Sequence, residues 1–126
     1  MQLMDRFGKE LEPIYKYEVQ PISGYTFTFI RQGNVVNVRF GGVCSRNQGY
    51  QSLGSNIPQG FRPIQEIRAY FDNVVSNSTN GSGFWNFRND GSIMSFSTTP
   101  NSVEKFGNVT YLTNDPMPSD SYLMED

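Results

Sequence analysis

Few side chains in this sequence could carry out a chemical reaction. The 126 residues include no histidine and a single cysteine, Cys44. Histidine-based triads, histidine metal ligands, thiolate zinc sites and internal disulfides are therefore excluded within the chain. Twelve carboxylates remain, and a glycosidase needs only a pair of them. No motif selects such a pair, and acidic side chains are ordinarily solvated residues of strand faces and turns. We therefore expect no enzymatic activity, no metal ion and no cofactor.

Two groups of residues have the side-chain types of a sugar-binding site. Trp85 is the only tryptophan, and Asn86 and Arg88 follow it closely. The tryptophan ring could stack on a pyranose while the amide and the guanidinium bond its hydroxyl groups. On a strand, however, Trp85 shares a face with Phe87, and this apolar face favours a buried Trp85 with Asn86 and Arg88 exposed. The second group contains Arg46, Asn47, Tyr50, Arg68 and Tyr70.

The composition predicts that strands carry these side chains. Aromatic residues make up 14% of the chain, with ten Phe, whereas alanine occurs once, at Ala69. Phe, Tyr, Val, Ile and Thr fit a pleated sheet, and the twelve Gly supply the conformations that turns need. Disordered chains are poor in aromatic residues, so we expect a folded all-β domain.

Alternating runs of apolar and polar residues predict the strands themselves. Two pairs of runs are each joined by a short loop of Gly with Asn or Asp, which is typical of a hairpin. About seven strands in one domain predict an antiparallel β-sandwich of jelly-roll type. The paired runs are 25–31 with 35–40 and 83–88 with 92–97, and the single runs are 14–19, 66–74 and 109–113.

We divide the chain into an N-terminal linker or stalk remnant at 1–20, a β-sandwich at 21–114 and a C-terminal tail at 115–126. The apolar residues near the N-terminus have helical spacing, so a short amphipathic helix is an alternative to the linker. Within the sandwich, the loops at 44–56 and 76–83 are the favoured places for a ligand, because binding residues often lie on loops held by a rigid scaffold.

Charge and hydropathy restrict the partners. The net charge is -2 and the cations are scattered, so we expect no nucleic-acid binding. No apolar stretch is long enough to span a membrane, and acidic residues stand where a signal peptide needs an apolar core. Strands such as 67–71 and 84–87 carry aromatic residues on both faces, which predicts that oligomerisation buries part of them.

Four short motifs follow one another between residues 22 and 114: Arg31-Gln32-Gly33-Asn34-Val35-Val36, Ile57-Pro58-Gln59-Gly60-Phe61-Arg62-Pro63, Asp90-Gly91-Ser92-Ile93 and Tyr111-Leu112-Thr113. In this order they resemble the C-terminal β-domain of tail fibre and baseplate proteins of phages that infect Gram-positive bacteria. The motifs themselves are scaffold, and no ligand residue is carried over from them.

The resemblance implies a location in the virion, at the tail tip or baseplate. It implies a trimeric, non-enzymatic domain that adheres to host cell-wall saccharide. The alternative is a structural element that binds another tail protein, and a polysaccharide depolymerase acting with two carboxylates is a third hypothesis.

Overall fold

The computed structural model describes residues 3–4, 10–11, 13–22, 25–44, 49–75, 78–97, 103–104 and 107–124. In these ranges the chain forms strands and one short 3-10 helix, η1 (Asp120–Tyr122), without any α-helix. The predicted all-β class is therefore confirmed. No helix of the described ranges is long and apolar enough to cross a membrane. The strands are β1 (Leu3–Met4), β2 (Glu10–Leu11), β3 (Ile14–Ile22), β4 (Tyr25–Gln32), β5 (Val35–Cys44), β6 (Gly49–Ser55), β7 (Ile67–Val75), β8 (Ser78–Phe87), β9 (Ser92–Ser97), β10 (Val103–Glu104) and β11 (Gly107–Leu112).

Strands β3 to β11 build two antiparallel sheets that share one strand. Sheet 1 has the order β3-β4-β5-β11, and sheet 2 has the order β10-β7-β8-β9-β6. The long strand β5 joins them, because its residues 35–40 pair with β11 whereas Val43 and Cys44 pair with β10. The facing sides of the two sheets enclose one hydrophobic core, as in a β-sandwich. β1 and β2 form a separate two-stranded ladder.

Both predicted hairpins are confirmed. β4 and β5 are joined at Gly33, with φ of 60°, and β8 and β9 are joined at Gly91, with φ of 94°. Residues with a Cβ rarely adopt these conformations, which explains the glycines. Asp90 also acts in its turn, because its Oδ1 accepts hydrogen bonds from the backbone N–H of Ser92 at 2.9 Å and from the Ser92 hydroxyl at 2.7 Å.

Aromatic side chains from the two sheets meet in the core. β4 contributes Tyr25, Phe27 and Phe29, and β8 contributes Trp85 and Phe87, all fully buried. The ring of Phe27 lies edge to face with both Trp85 and Phe87, at centroid distances of 5.1 and 5.9 Å. Edge-to-face pairs add to the stability that burial provides. The alternation of apolar residues therefore positions Trp85 in the core, as the strand pattern favoured.

The sandwich extends beyond the predicted span 21–114 at both ends. Residues 14–20 belong to β3, which pairs with β4 across the predicted linker boundary. The segment 115–124 packs against the sandwich, where the ring of Tyr122 lies edge-on to Tyr17 at a centroid distance of 5.5 Å. Both segments cover core residues of sheet 1, which is the physical reason that they belong to the domain.

The predicted loops 44–56 and 76–83 are largely strands where the structure describes them. Gly49–Ser55 pairs with β9, and β8 begins at Ser78, where its first residues pair with β7. Gly, Ser and Asn carry ordinary backbone donors and acceptors, so a neighbouring strand can pair with them against their propensity. Residues 45–48 and 76–77 lie outside the described residues. Near the N-terminus, Leu3–Met4 and Glu10–Leu11 are strands, and residues 5–9 of the alternative short helix lie outside the described residues.

Candidate functional site

The outer face of sheet 1 carries polar pairs along most of its strands, with exposed apolar residues at one end, Val35 and Leu112. The Thr28 hydroxyl donates to the Glu18 carboxylate at 3.2 Å, and the Asn37 amide donates to the Thr110 hydroxyl at 2.9 Å. Antiparallel sheets commonly bury one face and expose a polar one, and this sheet follows that pattern. Nothing in these pairs requires a ligand to explain them.

The outer face of sheet 2 is different, because it carries a row of aromatic side chains. Tyr70 pairs with Phe84 in the backbone register, and Phe84 pairs with Phe96. The ring centroids are 5.6 Å apart for Tyr70 and Phe84 and 5.4 Å apart for Phe84 and Phe96. Tyr70 is 71% exposed, and the two phenylalanines are partly exposed. We call these three residues the aromatic row.

Arg68 lies beside the aromatic row on the same strand face as Tyr70. Its guanidinium carbon is 4.4 Å from the centroid of the Phe84 ring, which is a cation–π contact. One ion pair joins described side chains, between Arg88 and Glu66 at 2.9 Å, and it does not include Arg68. The ring of Phe84 therefore contacts the Arg68 guanidinium, and no described carboxylate pairs with its N–H groups.

Trp85 does not belong to this surface. Its side chain is fully buried, 4.9 Å from the ring of Tyr25, so it offers no face to a sugar. The prediction that Asn86 is exposed is wrong, because Asn86 is only 1% exposed. Asn86 stands on the central strand between Arg68 and Met94, and a small side chain flanked by two long ones is covered by them.

The remaining predicted residues are dispersed. Arg88 is partly exposed and forms its ion pair with Glu66 at the end of β8. Tyr50 stands opposite Phe96 in the backbone register, and its side chain is outside the described residues. Arg46 and Asn47 also lie outside the described residues. The structure thus brings Arg68 and Tyr70 to one strand face, with Asn86 opposite Arg68 in the backbone register, and it places Trp85 in the core.

Phe84 and Phe96 belong to this surface although they are not among the predicted site residues. The alternation that put Trp85 inside also put Phe84 on the opposite face, so this signal was present. Phe96 could be found only after the β8–β9 hairpin was assigned, because its place beside Phe84 depends on strand register.

A second cluster lies at one end of the sandwich around Arg31, which is 1% exposed. Its Nε donates to the Gly33 carbonyl at 2.8 Å, and its Nη1 donates to the carbonyls of Gly60 at 2.7 Å and Pro116 at 3.0 Å. Its Nη2 donates to the Asp115 carbonyl at 2.9 Å. Burial lowers the pKa of Arg31, and the charge of Asp115 opposes this effect. These contacts tie three segments of the chain together, which is a structural role.

One carboxylate near this end, that of Asp115, also forms hydrogen bonds with the backbone. Asp115 Oδ2 accepts hydrogen bonds from the N–H groups of Gly60 at 2.9 Å and Arg62 at 3.1 Å. The hydroxyl of Tyr111 donates to the carbonyl of Phe61, and burial raises the pKa of Tyr111 well above its ordinary value. Among the described residues, no group of His, Cys, Asp and Glu side chains could hold a metal ion. The hydrogen bonds at this end of the sandwich therefore stabilise the fold.

An apolar groove of about 260 Å³ opens beside the end of β11. The residues that line it are Pro63, Ile64, Gln65, Glu66, Ile67, Tyr111 and Leu112. Ile64 and Leu112 are 45% and 58% exposed, so the groove continues into an exposed apolar patch. Such patches often mark contacts between proteins.

Comparisons with protein-family models and with curated protein sequences find no match to this chain.

Proposed function

We propose that the protein is a non-enzymatic module of a phage tail tip or baseplate, and that it adheres to saccharide on the host cell surface through the outer face of sheet 2. One observation supports this site above the others. Tyr70 is 71% exposed on a paired strand, with Arg68 two positions before it. An exposed ring beside a cation is the side-chain combination that a sugar-binding surface needs.

The contrast between the two sheets supports the choice of face. On the outer face of sheet 1, Thr, Asn and Glu side chains form hydrogen bonds with one another. The aromatic row has no counterpart there, and the core does not require it. A paired strand also holds the rings in place before a ligand arrives, which reduces the conformational entropy lost on binding.

Cell-wall binding tests the proposal. Isolated walls from a panel of Gram-positive bacteria are mixed with the wild type, Tyr70→Ala and Tyr70→Phe, and bound protein is measured after sedimentation. Stacking needs the ring and not the hydroxyl, so we expect Tyr70→Phe to bind and Tyr70→Ala to lose most binding. Thermal unfolding of each variant verifies its fold. Equal binding by folded Tyr70→Ala and wild type contradicts the proposed site.

A trimer belongs to the same proposal. Three copies of the chain would bury apolar surface that a monomer exposes, including Val35 at 44% exposure. The mass in solution, measured by light scattering, tests this directly. A monomer at micromolar concentration contradicts the trimer and leaves the saccharide site to be tested separately.

The apolar groove favours a second candidate function, docking to another tail protein. Its exposed side chains, Ile64 and Leu112, are better suited to protein contact than to a hydroxylated sugar. Leu112→Asp should then abolish binding to purified baseplate proteins and leave wall binding unchanged. Loss of wall binding in Leu112→Asp, with the fold intact, would instead connect the groove to the saccharide function.

A further inference from the structure

We infer that the saccharide is acidic, and that Arg68 binds the carboxylate of a hexuronic acid whose ring stacks on Tyr70. The inference rests on the proposed function and adds the chemical class of the ligand. It depends on the position of one guanidinium relative to the aromatic row.

The guanidinium of Arg68 is positioned in advance. Its carbon lies 4.4 Å from the centroid of the Phe84 ring. Phe84 is in turn held between Tyr70 and Phe96, at centroid distances of 5.6 and 5.4 Å. A guanidinium that stacks on a ring through its flat face keeps its N–H donors at the edges. Arg68 can therefore bind an anion without leaving Phe84, which makes Phe84 a positioning residue for the site.

Three other described arginines have polar partners, and the fourth, Arg39, is exposed on sheet 1 with one weak contact, to Asn37 Oδ1 at 3.4 Å. Arg31 is buried with backbone carbonyls, Arg62 donates to the Ile57 carbonyl at 2.9 Å, and Arg88 pairs with Glu66. No ion pair joins Arg68 to a described carboxylate. Its positive charge on the aromatic face is thus complemented by no anion among the described side chains, and a ligand anion would complement it.

The spacing favours a carboxylate attached directly to a sugar ring. Arg68 and Tyr70 are two positions apart on one strand face, which places their Cα atoms roughly 7 Å apart. In a hexuronic acid the carboxylate is bonded to a carbon of the pyranose ring, so one residue can present both groups over that span. A planar carboxylate also matches the two parallel N–H donors of a guanidinium. A neutral sugar would leave these donors without a charged partner.

The experiment uses bacterial polysaccharides arrayed in matched pairs. One member of each pair is native, and in the other the uronic acid carboxyls have been reduced to alcohols, so ring stereochemistry is preserved. The array also carries phosphate-bearing wall polymers. The proteins are the wild type, Tyr70→Ala, Arg68→Gln and Arg39→Gln. Arg39 is the matched control, because it is exposed on the outer face of sheet 1.

We expect the wild type to bind polymers that contain uronic acid, and its affinity to fall as salt increases. Carboxyl reduction and Arg68→Gln should each weaken binding about 10- to 100-fold, as expected for loss of a charge-assisted bond. Arg39→Gln should bind like the wild type. Once the carboxyls are reduced, Arg68→Gln should have little further effect, which shows that both changes remove the same contact.

Other outcomes separate the two proposals. Binding that is lost in Tyr70→Ala but unchanged by carboxyl reduction and by Arg68→Gln overturns the acidic ligand and keeps the saccharide site. Binding of phosphate-bearing polymers alone overturns the carboxylate. Wild-type binding by folded Tyr70→Ala, or no binding to any polymer of the array, overturns both.

Discussion

Replacement of Arg31 by Met should destabilise the domain by about 2.5–4 kcal/mol, because a buried cation that holds three chain segments would be lost. The side-chain volumes are similar, so the change removes donors and leaves no large cavity. Gly60 is the buried acceptor, and Asp115 and Pro116 are the acceptors on the C-terminal segment. The substitution therefore breaks contacts that span more than 80 positions of the chain.

The magnitude follows from the burial of each acceptor. The carbonyl of Gly60 is buried, and leaving it without a donor costs about 2 kcal/mol. The bonds to Gly33, Asp115 and Pro116 are only partly buried, so these carbonyls can regain water at about 0.5–1 kcal/mol each. Relief from burying a charge offsets about 1 kcal/mol of the total. A native domain is stable by only about 5–15 kcal/mol, so this is a large fraction.

Urea denaturation measures the effect, with Arg39→Met as the control. Arg39 is exposed and makes one weak contact, to Asn37 Oδ1 at 3.4 Å, so its replacement should change stability by less than about 0.5 kcal/mol. The slope of unfolding free energy against urea should stay the same in both variants. Amide exchange at Gly60 and Arg62, whose N–H groups bond Asp115, should accelerate in Arg31→Met. If Arg31→Met unfolds at the wild-type midpoint, the argument that Arg31 anchors the C-terminal segment is refuted.

Three further predictions concern the core, a turn and a buried hydroxyl. Trp85→Ala should cost about 3–5 kcal/mol in urea denaturation, since Trp85 is fully buried; wild-type stability would contradict its core role. Hydrogen bonds from the Ser92 hydroxyl and N–H lower the pKa of Asp90, so an NMR titration should place its midpoint below the ordinary range, and Ser92→Ala should raise it. That contribution to stability is present above the unfolded pKa and is lost as pH falls. Burial raises the pKa of Tyr111, so the folded state keeps a proton that the unfolded chain loses above its ordinary value of 10.0. Between pH 10 and 11.5, wild-type stability should therefore fall more steeply than that of Tyr111→Phe, by up to about 1.4 kcal/mol per pH unit, and equal slopes would contradict this.

The sequence was sufficient for the parts of the fold that depend on local pattern. The hairpins follow from alternation and from the glycines at Gly33 and Gly91, both with positive φ. The inward direction of Arg31 was also within reach. Arg31 continues the alternation of Tyr25, Phe27 and Phe29, so strand geometry alone puts it on the buried face.

Other features depend on partners that are distant in sequence. Gly49–Ser55 and Ser78–Phe87 contain loop-forming residues, and they are strands because β9 and β7 supply the pairing partners. Residues 115–124 look like a tail because of their prolines, yet Arg31 binds the carbonyls of Asp115 and Pro116. The burial of Asn86 depends on the long side chains of the adjacent strands. None of these relations can be obtained from a local window of sequence.

The two faces of sheet 2 differ in burial, and this difference connects the fold to the proposed site. Its inner face holds Trp85 and Phe87, which the core requires, and substitutions there should act through stability. Its outer face holds Tyr70, which is 71% exposed and contributes little to the core. Aromatic residues on the two faces of this sheet therefore have different roles. The inner residues stabilise the sandwich, and we propose that the outer ones bind a ligand. Tyr70→Ala should accordingly separate the two by reducing binding at nearly constant stability, a combination that no substitution in the core can produce.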